Sequence, residues 1–369
     1  VSQLRVALLT YSTRPRGGVV HTLALAEALA AHDDVEVTVV TLGRGGDDGF
    51  FRAVDPAVTV ELVPFPDVSS ETVGDRILRS IRVLAEGVRH LDHDVVHAQD
   101  CISANAAGGD CVRTVHHLDH FTTPELVACH ERAIVEPHTH VCVSASVAQE
   151  LVDGWGIGAT VIPNGVAAQR FAAAAAPGGA PSAARAAWRE RLGDRFVLAV
   201  GGIEPRKGTR DLVEAMGLLR ATHPDVPLVV AGGETLFDYR EYRDEVLARV
   251  AALDVRLEVL GAVDDEALPA LVAAATVEAF PSTKEGFGLA AMEALAAGVP
   301  LVCRDLPVLR EVFGPAATFF DDVAGLAAAL ATALDGDHPV ASSVGRALAD
   351  GHTWEAAATA HLELYRSLV

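Results

Sequence analysis

Runs of β-branched and aliphatic residues alternate with Ala/Leu-rich stretches through almost the whole chain, and this alternation constrains the fold more than any single motif. A strand joined to the next strand by a helix pairs with it in parallel, so repeated βαβ units build parallel sheets covered by helices on both faces. A first set of strands is expected near Val6–Thr10, Val35–Thr41, Thr59–Val63, Asp94–His97, Val112–Val115, Val141–Val143 and Thr160–Pro163. A second set is expected near Phe196–Val200, Leu228–Ala231, Arg256–Leu260, Val277–Phe280, Leu301–Cys303 and Ala317–Phe320. Two doubly wound α/β domains follow, and 369 residues suit two domains at about 100 to 200 residues each.

Between the two sets, from Ala167 to Asp194, the composition changes to Ala, Pro and Gly, including AAAAAPGGAPSAA. This reads as a surface connection leading into a short helix, and it sets the expected boundaries: residues 1–168, residues 169–350, and a terminal helix at 351–369. In the terminal segment Trp354, Ala358, Leu362 and Tyr365 fall on one helical stripe, the pattern of a packing helix.

The formal charge of −21 speaks against non-specific nucleic-acid binding and against docking on anionic lipid, since the long-range field repels both. No apolar run reaches the roughly 18 residues of a membrane span, and the opening VSQLRVALLTYSTRPRGG reads as strand and loop, not as a secretory signal. Five cysteines without CxxC spacing indicate neither a disulfide framework nor a zinc knuckle. A reducing cytoplasm is the expected location.

The most informative segment is AFPSTKEGFGLAAMEALAAGVPLV, which runs from a buried strand through a glycine loop into a helix and on to another strand. Such a loop lies at the carboxyl end of a strand, the edge where open α/β sheets bind ligands. Gly286 and Gly288 allow close backbone approach, and the helix that follows presents its amides and the positive end of its dipole to a diphosphate. Glu293, about a turn into the helix, can accept two hydrogen bonds from vicinal hydroxyls such as those of ribose, and Glu285 can reach a sugar. A second strand, glycine turn and helix, FVLAVGGIEPRKGTRDLVEAM, carries Arg206 and Lys207, which can neutralise a diphosphate and the charge that builds on it as a glycosidic bond breaks.

The stretch EGFGLAAMEALAAGVP resembles the Glu, seven residues, Glu motif of the retaining glycosyltransferases of family four, with the Ala-Gly-Xaa-Pro that follows it there. The resemblance implies a GT-B fold, two Rossmann-like domains facing across a cleft. It also implies that Glu293 holds the donor ribose, that Glu285 contacts the transferred hexose, and that the amides of Phe287, Gly288 and Leu289 contact sugar and phosphate. PRKG looks like the family's donor-phosphate motif, but Gly202 stands where members often carry Arg after the first glycine of the loop. VIPNGV resembles the family's domain junction, with Ala167 where an Asp often follows. GAVDDEALPALVAAATVEAFPS resembles the base-binding region, with the backbone near Ala262 and Val263 meeting the nucleobase, and TWEAAATAHLELY resembles the terminal helix that packs back on the first domain.

Gly17 and Gly18 follow the first strand and open a helix, so their amides can approach a phosphate or an acceptor, and Arg14 and Arg16 beside them are candidate anion contacts. The family has a similar Gly-Gly loop. Nine of the fifteen histidines fall between His90 and His140, and HHLDH follows a strand at the ligand edge. His116, His117 and His120 as metal ligands would be neighbours on one irregular loop, a poor geometry for a single ion, and no metal or other cofactor is expected. By resemblance one histidine here contacts the sugar; His116 fits, with His117 where the family has Asp, and which of the two faces the sugar stays open. The Asp-Xaa-Asp patterns at Asp92–Asp94 and Asp335–Asp337 lack the setting of a metal-diphosphate site.

The expected activity is hexosyl transfer from a nucleotide diphosphate sugar, UDP-sugar favoured, to a hydroxyl of a small or soluble acceptor, with Glu285, His116, Arg206 and Lys207 as the catalytic candidates. Retention of configuration is implied by the resemblance. Alternatives are a nucleotide-sugar epimerase or phosphorylase on the same fold, and a non-catalytic nucleotide-sugar binding protein. A dinucleotide dehydrogenase is disfavoured because LLTYSTRPRGGVVH is not a GxGxxG fingerprint.

Overall fold

The computed structural model describes residues 3–118, 121, 124–233 and 239–369, and His120 lies outside them. It divides into two compact units, one made of Val1–Gly165 with Trp354–Val369 and the other of Val166–Thr353. Among the described residues no helix is long and apolar enough to cross a membrane.

The first unit holds seven strands: β1 (Leu4–Leu9), β2 (Val35–Arg44), β3 (Val58–Phe65), β4 (Val95–Ala98), β5 (Val112–Val115), β6 (Thr139–Cys142) and β7 (Thr160–Val161). They pair in parallel in the order β3-β2-β1-β4-β5-β6-β7, so the chain winds outward in one direction and then in the other, switching between β1 and β4. Val6 to Leu9 of β1 are fully buried, as a central strand covered on both faces requires. Strand β2 runs three residues beyond the expected end at Thr41, because its pairing with β3 continues through Gly43↔Pro64 and Arg44↔Phe65. The stripe of the terminal helix packs into this unit's core: Ala358, Leu362 and Tyr365 are buried among Leu23, Leu29, Val95 and Val112.

The second unit holds β8 (Val197–Val200), β9 (Leu228–Ala231), β10 (Leu257–Gly261), β11 (Val277–Phe280), β12 (Leu301–Arg304) and β13 (Thr318–Phe320), all parallel in the order β10-β9-β8-β11-β12-β13. Its direction switches between β8 and β11. Each of the thirteen expected strands has a counterpart, and the fold class is the expected one: two Rossmann-like parallel sheets. The Ala/Pro/Gly stretch differs from expectation. It forms two helices, Ala168–Ala175 and Gly179–Leu192, both within the second unit. Alanine is the strongest helix former, and the interruption is confined to Ala176, Pro177 and Gly178, the last at φ +81°.

Candidate active site at a sheet switch point

The switch point of the second sheet opens because β8 and β11 stop pairing early. Their backbone register runs only through Val277↔Val197 and Glu278↔Leu198. Beyond it the amide of Val200 donates to the Glu278 Oε1 at 3.1 Å, so a side chain takes over where a ladder bond would stand. Glu278 is fully buried and its Oε2 has no hydrogen-bond partner. Burial drives its pKa well above the ordinary carboxylate range, the Glu293 carboxylate pushes the same way, and the Val200 amide and Lys207 oppose less strongly. The sequence reading missed this residue, although a glutamate inside the apolar run TVEAF was the available signal.

Two loops leave this opening. After β8, Gly201 and Gly202 lead through Ile203 and Glu204 into a 3-10 turn at Pro205–Lys207, and a helix follows at Thr209–Leu219. After β11, residues 281–288 lead into the Leu289–Ala297 helix. The loops are joined at backbone level, with the Thr283 amide donating to the Arg206 carbonyl at 2.8 Å. Gly208, left-handed at φ +64°, sits so close that a Cβ there would lie 2.1 Å from the Pro281 carbonyl oxygen. Gly232, at the end of β9, touches the backbone of Gly201 and Gly202 in the same way, with a Cβ falling 2.1 Å from the Gly201 carbonyl carbon.

This packing brings Arg206, Lys207 and Glu285 together. The Lys207 Nζ lies 2.6 Å from the Glu285 Oε1, and the Arg206 Nη1 lies 3.2 Å from the same oxygen. Arg206 reaches back to Glu204 at 3.1 Å, and the Lys207 ammonium sits 5.2 Å from the centre of the Phe280 ring. Cations held against a carboxylate and an aromatic face in a partly buried loop have little freedom, which orders them before any ligand arrives.

Glu293 faces a different group. It is half-buried in the Leu289–Ala297 helix, beside an ion pair in which Arg170 holds Asp265 at 2.7 Å. Burial lifts its pKa to about 8, with Arg170 opposing and Asp265 adding. Glu285 thus lies by the cationic loop, and Glu293 lies toward the loop after β10 that carries Asp265 and the half-buried Val263. Gly288 begins the helix in a left-handed conformation, φ +98°, with no side chain capping its amides, and Phe287 beside it is buried with its ring 5.6 Å from that of His352. The Thr209–Leu219 helix likewise begins at a glycine with no side-chain cap. Two uncapped amino-terminal helix ends and two cations therefore lie on the two joined loops that leave the switch point, an arrangement suited to a diphosphate.

In the first unit, Gly17 and Gly18 open the Gly17–Ala30 helix, again without a side-chain cap. His116 follows β5 with its ring against Gly18, where a Cβ would be 3.8 Å from the ring, and edge-on to His21 at 4.7 Å between centroids. Its Nε2 is buried without a partner, and burial holds its pKa well below 6.5, so the ring is neutral at pH 7. His21, His97 and His361 share this interior and are held neutral by the same cause. The His97 Nδ1 lies 2.6 Å from the Tyr365 hydroxyl, and the His21 Nδ1 lies 2.9 Å from the Asn164 Oδ1. Asp92 and Asp94 are both occupied by Arg5, at 2.7 and 2.9 Å, and Asp335 pairs with His223 at 3.1 Å.

Comparison with known proteins identifies the family. The model of "Glycosyltransferase Family 4" matches residues 15–170, and that of "Glycosyl transferases group 1" matches residues 182–343. The phosphatidyl-myo-inositol mannosyltransferase of Mycolicibacterium smegmatis is 32% identical over 94% of this chain and 88% of its own length. The O-antigen chain mannosyltransferase B of Escherichia coli is 36% identical over 47% of this chain, which spans only 46% of that relative. Among solved structures, Anabaena HepE in complex with UDP-glucose superposes with a TM-score of 0.75 at 18% identity, covering 99% of this chain and all of that one. By its two family models and its mycobacterial relative, the chain belongs to family four of the glycosyltransferases, GT-B enzymes that transfer a sugar from a nucleotide sugar.

Proposed function

We propose that this glycosyltransferase moves a hexose, with retention, from a UDP-sugar to a hydroxyl of a small or soluble acceptor, and that the crevice between β8 and β11 is its donor site. The observation that carries the reading is the meeting of Lys207, Arg206 and Glu285 at the switch point, beside two uncapped helix starts. In this reading the Phe287, Gly288 and Leu289 amides and the two cations take the diphosphate and the charge it gains as the glycosidic bond breaks. Glu293 accepts the ribose hydroxyls, Glu285 orients the hexose, and the Val263 backbone meets the base. Gly202 leaves room beside the phosphates without supplying a charge, so Arg206 and Lys207 carry the electrostatic share. His116, neutral and with a ring nitrogen free, hydrogen-bonds a sugar hydroxyl near Gly17 and Gly18. A glucosyl or mannosyl group fits the relatives' names, and a uridine donor fits the HepE complex.

A thermal-shift panel of UDP-, GDP- and ADP-sugars tests this. At least one should stabilise the protein, and Lys207→Ala or Arg206→Ala should diminish the response. Silence from every nucleotide sugar would remove the donor assignment. Product analysis with and without an added acceptor then separates transfer from epimerisation or phosphorolysis on the same fold.

A further inference from the structure

The carboxyl edge of the first sheet carries an unusual concentration of guanidinium charge. Arg16 precedes the Gly17–Ala30 helix, and Arg44 ends β2. The Arg16 Nη1 donates to the Tyr11 hydroxyl at 2.8 Å, while its Nε is buried with no partner. Arg44 lies over the Tyr11 and Phe65 rings and donates to the Tyr11 carbonyl and the Ser80 hydroxyl. Five other arginines, Arg5, Arg52, Arg79, Arg170 and Arg310, each hold a carboxylate at 2.7 Å or closer, and Arg185, Arg189 and Arg256 donate to backbone carbonyls. Arg16 and Arg44 have no carboxylate oxygen within ion-pair distance among the described residues. The nearby Asp100 carboxylate is occupied by the amides of Tyr11 and Ser103.

Leaving two half-buried cations side by side costs free energy, and the strain registers on Arg44, whose pKa burial, Arg16 and Arg76 depress to about 10 although Tyr11 and Asp100 oppose them. Gln99 lies at the same edge, one residue past β4, with 1% exposure and no partner for either amide atom. The Tyr11 hydroxyl, which burial keeps protonated, accepts from Arg16 and has its own hydrogen to give. The Arg16 Nε, the Gln99 amide nitrogen and the Tyr11 hydroxyl hydrogen thus gather at one sheet edge without an internal acceptor, a set that matches a compact anion with several oxygens.

We propose that Arg16, Arg44, the Tyr11 hydroxyl and the amino end of the Gly17–Ala30 helix form a phosphate subsite, so that the acceptor of this enzyme bears a phosphate group. The assignment rests on the transferase reading above and adds to it the chemical class of the acceptor. A doubly charged phosphate monoester suits two guanidiniums and a helix start better than a neutral sugar, which would leave both cations unbalanced. A soluble sugar phosphate and a phospholipid headgroup share this chemistry.

The test is calorimetric titration of inorganic phosphate into the protein with its donor site saturated by UDP. Saturable binding is expected, weakened about tenfold to a hundredfold by Arg16→Gln or Arg44→Gln, the loss for one charge-assisted contact. Tyr11→Phe, which keeps the ring under Arg44, should weaken it several-fold, and circular dichroism checks that each variant is folded. Displacement of phosphate by hexose 6-phosphate would identify a soluble acceptor, and displacement by vesicles of phosphatidylinositol in phosphatidylcholine a lipid headgroup; either result supports the subsite. Absence of phosphate binding, or binding indifferent to both arginine substitutions, overturns it. Failure of every nucleotide sugar to stabilise the wild-type protein sinks the transferase reading separately, because the phosphate titration does not depend on a donor sugar.

Discussion

Gly208→Ala is the sharpest single perturbation of the proposed donor site. Gly208 joins the Pro205–Lys207 turn to the Thr209–Leu219 helix at φ +64°, and an added Cβ would lie 2.1 Å from the Pro281 oxygen and 2.9 Å from its carbonyl carbon. A left-handed alanine costs roughly 1–2 kcal/mol. Relieving a backbone clash of this depth needs the two loops to part by about 1 Å, an overpacking cost of roughly 1–3 kcal/mol. The sum, about 2–5 kcal/mol, is a large share of the 5–15 kcal/mol typical of a domain. The movement also draws the Arg206 carbonyl away from the Thr283 amide and shifts Lys207 relative to Glu285. Misplacement of a binding group by about 1 Å can cost about a hundredfold in rate. Urea unfolding should show a lower midpoint, and kcat/KM for the donor should fall by about that factor even at temperatures where the variant is folded. A variant with wild-type midpoint and wild-type donor kinetics would refute the claim that contact between these loops sets the site.

Gly17→Ala tests the opposite case: a Cβ there meets nothing within 4 Å, so stability should hold or rise by about 0.5–1 kcal/mol, and any loss of turnover reports backbone approach by a ligand. Glu285→Gln leaves Arg206 and Lys207 less balanced, so UDP should bind several-fold tighter in calorimetry while sugar transfer falls. Glu278 and Glu293 have raised pKa values, so the folded protein binds protons that the unfolded chain has released above about pH 4.5; stability should decline as pH rises toward 8, by at most about 1.4 kcal/mol per pH unit for each proton, and Glu278→Gln should flatten the urea-midpoint profile. His21, His97, His116 and His361 act with the opposite sign: the unfolded chain takes up protons below about pH 6.5 that they refuse, so the first unit should lose stability as pH falls from there toward 4. Tyr365→Phe removes the hydroxyl from the His97 Nδ1 inside a fully buried contact and should cost about 1–3 kcal/mol in thermal or urea unfolding.

The parallel sheets were legible because buried central strands need continuous apolar runs, and VALL, VEVTVV and LVVA leave little else to form. Strand ends were less so. Gly43 and Arg44 carry no strand signal of their own, and only pairing with Pro64 and Phe65, with the guanidinium stacked on the Phe65 ring, extends β2 to the ligand edge. Pattern reading stopped at Thr41 and passed over Arg44, an arginine of the proposed phosphate subsite. The Ala/Pro/Gly stretch misled in the other direction, since PGG looks like a linker while the alanines around it are the best helix formers. Arg206, Lys207 and Glu285 stood out because each sits in a loop after a strand, with a glycine close by. Glu278 did not, because its role depends on the Val200 amide, 78 residues away in sequence.

Glu278 also explains how the pairing of two central strands can stop short at the switch point. Parallel strands held by regular backbone bonds to their ends would close the switch point and leave no room between the loops. Here the last bond is made by a side chain, which satisfies the Val200 amide while letting β8 and β11 diverge above it. The neutral state that burial imposes on this carboxyl then matters to the cation above. An ionised Glu278 would compete with Glu285 for Lys207, whereas a protonated one leaves the ammonium to Glu285 in the proposed donor site. Glu278→Gln keeps both the amide acceptor and the neutral charge, and should leave donor affinity near that of wild type. Glu278→Leu removes the acceptor, strands the Val200 amide, and should weaken donor binding at the same pH. If the two substitutions weakened donor binding equally, the acceptor at this position would have no part in holding the crevice open.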